Sequence, residues 1–329
     1  MTPLDSDLNV FQRQYWNSLF QDWRLPTVLY HYTSVYGLQG IVETSRLYAT
    51  HYLYMNDGKE IKLGDELAVD ELNHRIVAER DQWIKATFEE CIGKKYSGPP
   101  SVLKAYDYDI YIVSFSEDGN LLDQWRAYGD DGEGYSIGIN PENLAAKKSV
   151  SVVTDSKSLA FIKVEYDETK QKLLIKRAVD IVYPLLPPAL ASASSEFEKN
   201  TVVRVVANYL SRMLVGLSLF FKHPSFNNEK EWRVVRIKWG RKVLAENNAD
   251  ALEGVNYRPS NGILAPYLKL DFRSSQFNNL LPLENIILGP KHRNREHQAI
   301  ESLRMLLHSK GYKEYQNMPQ IEVSELPYQ

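Results

Sequence analysis

The chain has one cysteine, Cys91, among 329 residues. A single thiol excludes an intrachain disulfide framework and a cysteine-built zinc cluster. Apolar runs are short as well. None approaches the roughly 18 residues that a membrane-crossing helix needs. The opening MTPLDSDLNVFQRQYWNSLF carries acid where a secretory leader carries lysine or arginine. A soluble protein of the reducing cytoplasm, with no membrane partner, is the expectation. Excess charge of one sign is also lacking: 39 Lys and Arg against 42 Asp and Glu give a net charge of -3, and the pI is about 6.2. That balance excludes a uniformly basic surface and leaves only a local groove for nucleic acid.

Familiar catalytic patterns are missing too. The seven histidines (His31, His51, His74, His223, His292, His297 and His308) are scattered without an HxxxH pair, so no metal is expected. No serine stands on a tight glycine elbow. The segment GDDGEG, Gly129 to Gly134, lacks the lysine of a phosphate-binding loop, and its acids would repel phosphate. What remains is His, Ser, Tyr and Glu spread over separate segments.

The chain does have enough apolar residues for a full core, 43%, and 12% aromatics including 21 tyrosines and 6 tryptophans. Tyrosine suits both ring-stacking pockets and ordinary half-buried strands. Periodicity predicts an amphipathic helix over 7–23 that stops before Pro26, and a short strand from Thr27 to Tyr32. Ser34 then caps a helix bearing Leu38, Ile41 and Val42. Next come a strand over 47–53, a turn at Asn56-Asp57-Gly58, one long helix from about Glu60 to Glu90, and a break over 93–100. Strands follow at 110–116 and 135–140. The region 167–221 reads as mostly helical, with YPLLPPALASAS as a proline-marked loop. EWRVVRIKW, Glu231 to Trp239, reads as a strong strand, with later strands at 267–271, 285–288 and 320–323 and a helix over 293–309. This irregular order predicts an α+β fold. We expect an N-terminal helical cap over 1–26 and a single α+β domain over 27–329, with helical insertions at about 60–100 and 167–222.

Several segments combine polar chemistry with strand or helix spacing. Alternation puts Ser114 and Ser116 on one face, either holding a sugar or simply solvated. Trp125 and Tyr128 fall on one side of a helical turn, as an aromatic wall or a satellite of the core. Glu231 and Arg233 share a face of a strand that otherwise reads as buried, so they form an internal ion pair or open into a pocket. His31 at a strand end either caps a backbone group or serves a site. Lys222, His223, Lys230, Arg233, Arg236 and Lys238 read as a basic stripe that nucleic-acid phosphates would suit.

The ordered motifs His31-Tyr32-Thr33, Asn56-Asp57-x-x-Glu60, Ser114-Phe115-Ser116, Trp125-x-x-Tyr128-Gly129, Gly134-x-x-Ile137, Glu229-Lys230-Glu231-Trp232-Arg233 and Ile287-Leu288-Gly289-Pro290 resemble the bacterial family called domain of unknown function 2971, over about residues 28–290. The layout also resembles the ADP-ribosyltransferase superfold, and DarT-type enzymes in particular. That resemblance implies a mixed, split β-sheet core with inserted and flanking helices, and NAD as the bound substrate. It implies a toxin or phage-defence effector that transfers ADP-ribose to nucleic acid or protein. His31 and Glu231 would be catalytic, with His31, Tyr32, Thr33, Ser114, Ser116, Trp125 and Tyr128 around NAD. Glu229, Lys230 and Arg233 would meet the acceptor. A carboxylate at 231 would oppose the positive charge that builds on the ribose as nicotinamide leaves. Two other classes fit the same residues: a nucleic-acid-binding or nuclease-like defence protein without NAD chemistry, and a non-catalytic nucleotide-binding module.

Overall fold

A computed structural model describes residues 3–21, 23–55, 60–93, 100–105, 108–144, 160–239, 252–260 and 262–328. The expected turn at Asn56-Asp57-Gly58 and most of the break over 93–100 lie outside them. Ten stretches form strands of one sheet among the described residues: β1 (Leu29–Thr33), β2 (Arg46–His51), β3 (Tyr108–Ser116), β4 (Tyr135–Ile139), β5 (Ala160–Lys163), β6 (Glu231–Trp239), β7 (Val255–Ser260), β8 (Ile263–Asp271), β9 (Leu283–Leu288) and β10 (Gln320–Val323). Their sequences are rich in the β-branched and aromatic residues that fit a pleated surface. The order is β10-β9-β4-β1-β3-β2-β8-β7, with β6 also paired to β3 and β5 to β6. Only β9 and β10 run parallel, so the sheet is mixed and the fold is α+β.

The helices are α1 (Pro3–Phe20), α2 (Val35–Thr44), α3 (Glu60–Ala78), α4 (Gln82–Cys91), α5 (Val102–Ala105), α6 (Leu122–Ala127), α7 (Glu168–Val182), α8 (Leu186–Ser192), α9 (Glu196–Ser218) and α10 (Glu296–Ser309). Strand alternation sorts them onto two faces of the sheet. Ile110, Ile112 and Val235 join a core with buried residues of α1, α3, α4, α7, α8 and α9. Tyr111, Val113, Phe115, Trp232 and Val234 join another with Leu38, Ile41 and Val42 of α2 and Leu303 and Leu307 of α10. Burial on both faces explains the apolar stretch 110–113 in β3 and the adjacent Val234 and Val235 in β6. Each fully buried aliphatic side chain contributes ~1.5–3 kcal/mol relative to exposure.

Two expectations are corrected. The long helix over 60–90 is two helices, α3 and α4. Asp81 interrupts it, in extended conformation, by accepting the backbone N–H groups of Trp83 and Ile84 as a new N-cap. The proline-marked loop is largely helical. Pro184 is the second residue of a single 3₁₀ turn, Tyr183–Leu185, and Pro187 stands in the first turn of α8. There a missing N–H has no intrahelical acceptor to disappoint. Ser34 does cap α2, its Oγ accepting from Gly37 N at 3.2 Å. Gly37 is required by close approach, since a Cβ there would stand 1.9 Å from Thr33 Oγ1.

Candidate functional site

The three motif strands become neighbours: β1 and β6 flank β3. Tyr30 pairs with Ser116, Ser116 with Glu231 and Ser114 with Arg233. Because side chains alternate, Ser114, Ser116, Glu231 and Arg233 share one face, whereas His31 lies on the other, beside Phe115 at 5.8 Å between ring centroids. Two ladder spacings of ~4.8 Å put the His31 and Glu231 backbones about 10 Å apart. Their side chains leave opposite faces.

Glu231 is 5% exposed. Arg233 clasps it bidentately, Nε to Oε1 at 2.8 Å and Nη2 to Oε2 at 3.0 Å, and Lys222 Nζ donates to Oε2 at 3.1 Å. Burial pushes the Glu231 carboxyl up. The charges of Arg233 and Lys222, with hydrogen bonds from Arg233 and Ser114, outweigh it and leave the pKa lowered to about 2. Lys222 also pairs with Glu229, and Arg233 Nη1 donates to Leu219 O at 3.0 Å, next to the end of α9. This quartet joins β6 to α9 inside the molecule. Lys222 and Arg233 therefore leave the expected basic stripe, and Lys238 Nζ is held by Glu253 O at 2.6 Å. Lys230 alone of the predicted acceptor residues is exposed.

Three more predicted residues are built into structure. Ser116 Oγ donates to Glu229 O at 2.8 Å and accepts from Asp118 N at 3.1 Å. Tyr32 stacks edge-on to Trp125 at 4.9 Å; its hydroxyl donates to Asp118 O and accepts from Leu121 N. Trp125 is fully buried and donates to Asn120 Oδ1 at 2.9 Å. With Ile287 they form a small core that Tyr128 flanks, half-buried.

His31 lies where the sheet divides. β1 pairs with β3 at Ser116, and β2 pairs with it at Ile112 and Tyr111. Along that edge residues 113–115 have no strand partner. His31 Nδ1 meets the Ser114 carbonyl there at 2.9 Å. A carbonyl only accepts, so Nδ1 carries the hydrogen. Burial lowers the His31 pKa, the Ser114 hydrogen bond raises it, and Arg258 lowers it further. The neutral ring consequently presents Nε2 as an acceptor, with no partner among the described residues.

Arg258 of β7 completes this fork. Its Nη2 donates to Thr50 Oγ1 at 2.7 Å, and its guanidinium lies 5.7 Å over the Tyr267 ring. Tyr48 adjoins Tyr267 at 5.1 Å, and Lys269 lies 5.7 Å over Tyr48. Register puts Tyr48, Thr50, Arg258, Tyr267 and Lys269 on the face of Ile112 and Ser114. No carboxylate of the described residues pairs with Arg258, although burial lowers its pKa. Sequence reasoning missed Thr50, Arg258 and Tyr267. An arginine inside an alternating strand was the available signal. Thr33, half-buried, stands at the end of β1 with its Oγ1 over Gly37.

Residues 124–234 match the model of a family described as protein of unknown function (DUF2971). That stretch holds Trp125, Tyr128 and the Glu229–Arg233 motif, and leaves His31, Ser114 and Arg258 outside. No curated protein and no solved structure matches the chain.

Proposed function

We propose that the protein binds a phosphate-bearing nucleotide, with NAD as the first candidate, in the fork between β1 and β2. The observation that carries this reading is Arg258: a half-buried guanidinium with no carboxylate against it among the described residues, close enough to His31 to influence its titration. A half-buried cation without a carboxylate is costly unless a ligand supplies the anion. Arg258 would take a phosphate, with the Thr50 hydroxyl beside it, and His31 Nε2 a ribose hydroxyl. Tyr48 and Tyr267 offer ring faces for the base. A divided sheet around a histidine is also what the ADP-ribosyltransferase type of fold would provide.

Cleaving the nicotinamide–ribose bond needs a carboxylate beside the ribose. Glu231 lies on β6, across β3 from the fork, and is already held by two cations, so binding, rather than transfer, is the activity this geometry supports. Calorimetric titration with NAD, ADP-ribose and ATP tests the reading, with free nicotinamide and transferred ADP-ribose measured in the same samples against added protein and DNA. Saturable binding without nicotinamide release is expected. Absence of binding by all three ligands contradicts the reading, and nicotinamide release would restore transferase chemistry to the fork.

A further inference from the structure

A cleft separate from the fork lies where the β5–β6 edge meets the chain after α1. Its volume is about 390 Å³, and Trp23, Lys163, Tyr166, Lys170, Lys230 and Glu231 are in its lining. That size falls at the lower end of small-molecule sites, which span ~300–1,000 Å³.

The carboxylates lining it are already committed. Glu117 Oε1 accepts from Lys163 at 3.0 Å and from Trp232 Nε1 at 2.8 Å. Glu165 accepts from the backbone of Tyr166 and Asp167 and pairs with Lys170 at 3.7 Å. Glu231 belongs to Arg233 and Lys222. Lys230 differs: no carboxylate of the described residues lies within ion-pair distance of its ammonium. Its backbone is left-handed, φ 44° and ψ 51°, a conformation that is strained for a non-glycine residue and gathers at functional sites. Backbone hydrogen bonds fix it there, Lys230 N to Asn227 O and Glu117 N to Lys230 O. Tyr166 Oη accepts from Glu231 N at 2.9 Å, which leaves its own hydrogen to give. Burial raises the Tyr166 pKa, so it remains a donor at neutral pH. Trp23 adds indole surface, edge-on to Trp232 at 6.0 Å.

We infer that this cleft is a second binding site, for a ring-bearing organic phosphate of mononucleotide class. The phosphate meets Lys230 and the Tyr166 hydroxyl, and the ring lies against Trp23. The inference stands apart from the fork, and the two are separable by mutation. The experiment titrates AMP, GMP, CMP and UMP, with adenosine as the uncharged control for AMP, into the Arg258→Ala protein, whose fork has lost its phosphate ligand, and into the same protein carrying Lys230→Ala or Lys230→Gly, with thermal melts confirming that each is folded. At least one mononucleotide should bind the Arg258→Ala protein saturably, and AMP, if it binds, at least tenfold more tightly than adenosine. Adding either Lys230 substitution should weaken that binding tenfold or more. Lys230→Gly suits the left-handed backbone and so keeps the fold. Failure of all four mononucleotides to bind the Arg258→Ala protein, or retained binding once Lys230→Gly is added, overturns the inference.

Discussion

Glu231 shows how the same two residues, adjacent on one strand face, read as a site in sequence and as a clasp in structure. Alternation located the carboxylate beside Arg233, but Lys222 reaches it from beyond the end of α9, and tertiary packing alone supplies that contact. Removing one member of a buried ion pair strands the others and costs ~3–5 kcal/mol. Glu231→Gln should therefore lower the stability by that order in chemical denaturation, while NAD affinity at the fork stays within twofold. Its folded pKa lies below the ordinary glutamate value of ~4.3, so its contribution is complete above that pH and is lost as pH falls toward about 2. The acid limb of the wild-type stability curve should flatten in the variant. His31 carries the same slope for a different reason. Its folded pKa is lowered, so the unfolded chain takes up the proton first and stability falls as pH drops below ~6.5. His31→Gln keeps a donor for the Ser114 carbonyl and removes the titration. Between pH 7 and pH 5 its stability should decline less than that of wild type; parallel curves would assign the slope to other groups, His292 first, whose pKa burial also lowers.

Among the elements, those with local signals were legible: the Ser34 cap, β6 at its observed bounds and β10 at its observed bounds. Those fixed by distant contacts were not. β5 and β7 escaped notice because they are short or half-exposed edge segments whose partners, β6 and β8, decide their conformation. The division between β1 and β2 could not be read at all, since register is a property of pairs of strands. The same holds for Gly64 in α3, where a Cβ would stand 2.4 Å from Ser218 Cα of α9. Backbone cannot give way as a flexible side chain can. Gly64→Ala should therefore destabilise by ~1–3 kcal/mol despite the helix propensity it gains, and thermal unfolding would show it. An unchanged melting temperature would mean that α3 and α9 are not in this contact.

Across the whole molecule, α+β was legible from the irregular order of helices and strands. The site was legible only in part. His31 was found, but Arg258 lies more than two hundred residues away and reaches the fork through the β8–β7 hairpin. The sheet thus brings a neutral histidine from near one end of the chain to an arginine that has no carboxylate against it among the described residues, and the account rests on that meeting. No helix of the described residues is long and apolar enough to cross a membrane. The most direct measurement is the NAD affinity of wild type and Arg258→Ala by calorimetry at pH 7.5, with thermal melts confirming that both are folded. The account predicts saturable binding by wild type and a loss of tenfold or more, on the order of 1.4 kcal/mol, in the variant. Equal affinity in two folded proteins, or no binding by wild type, would contradict it.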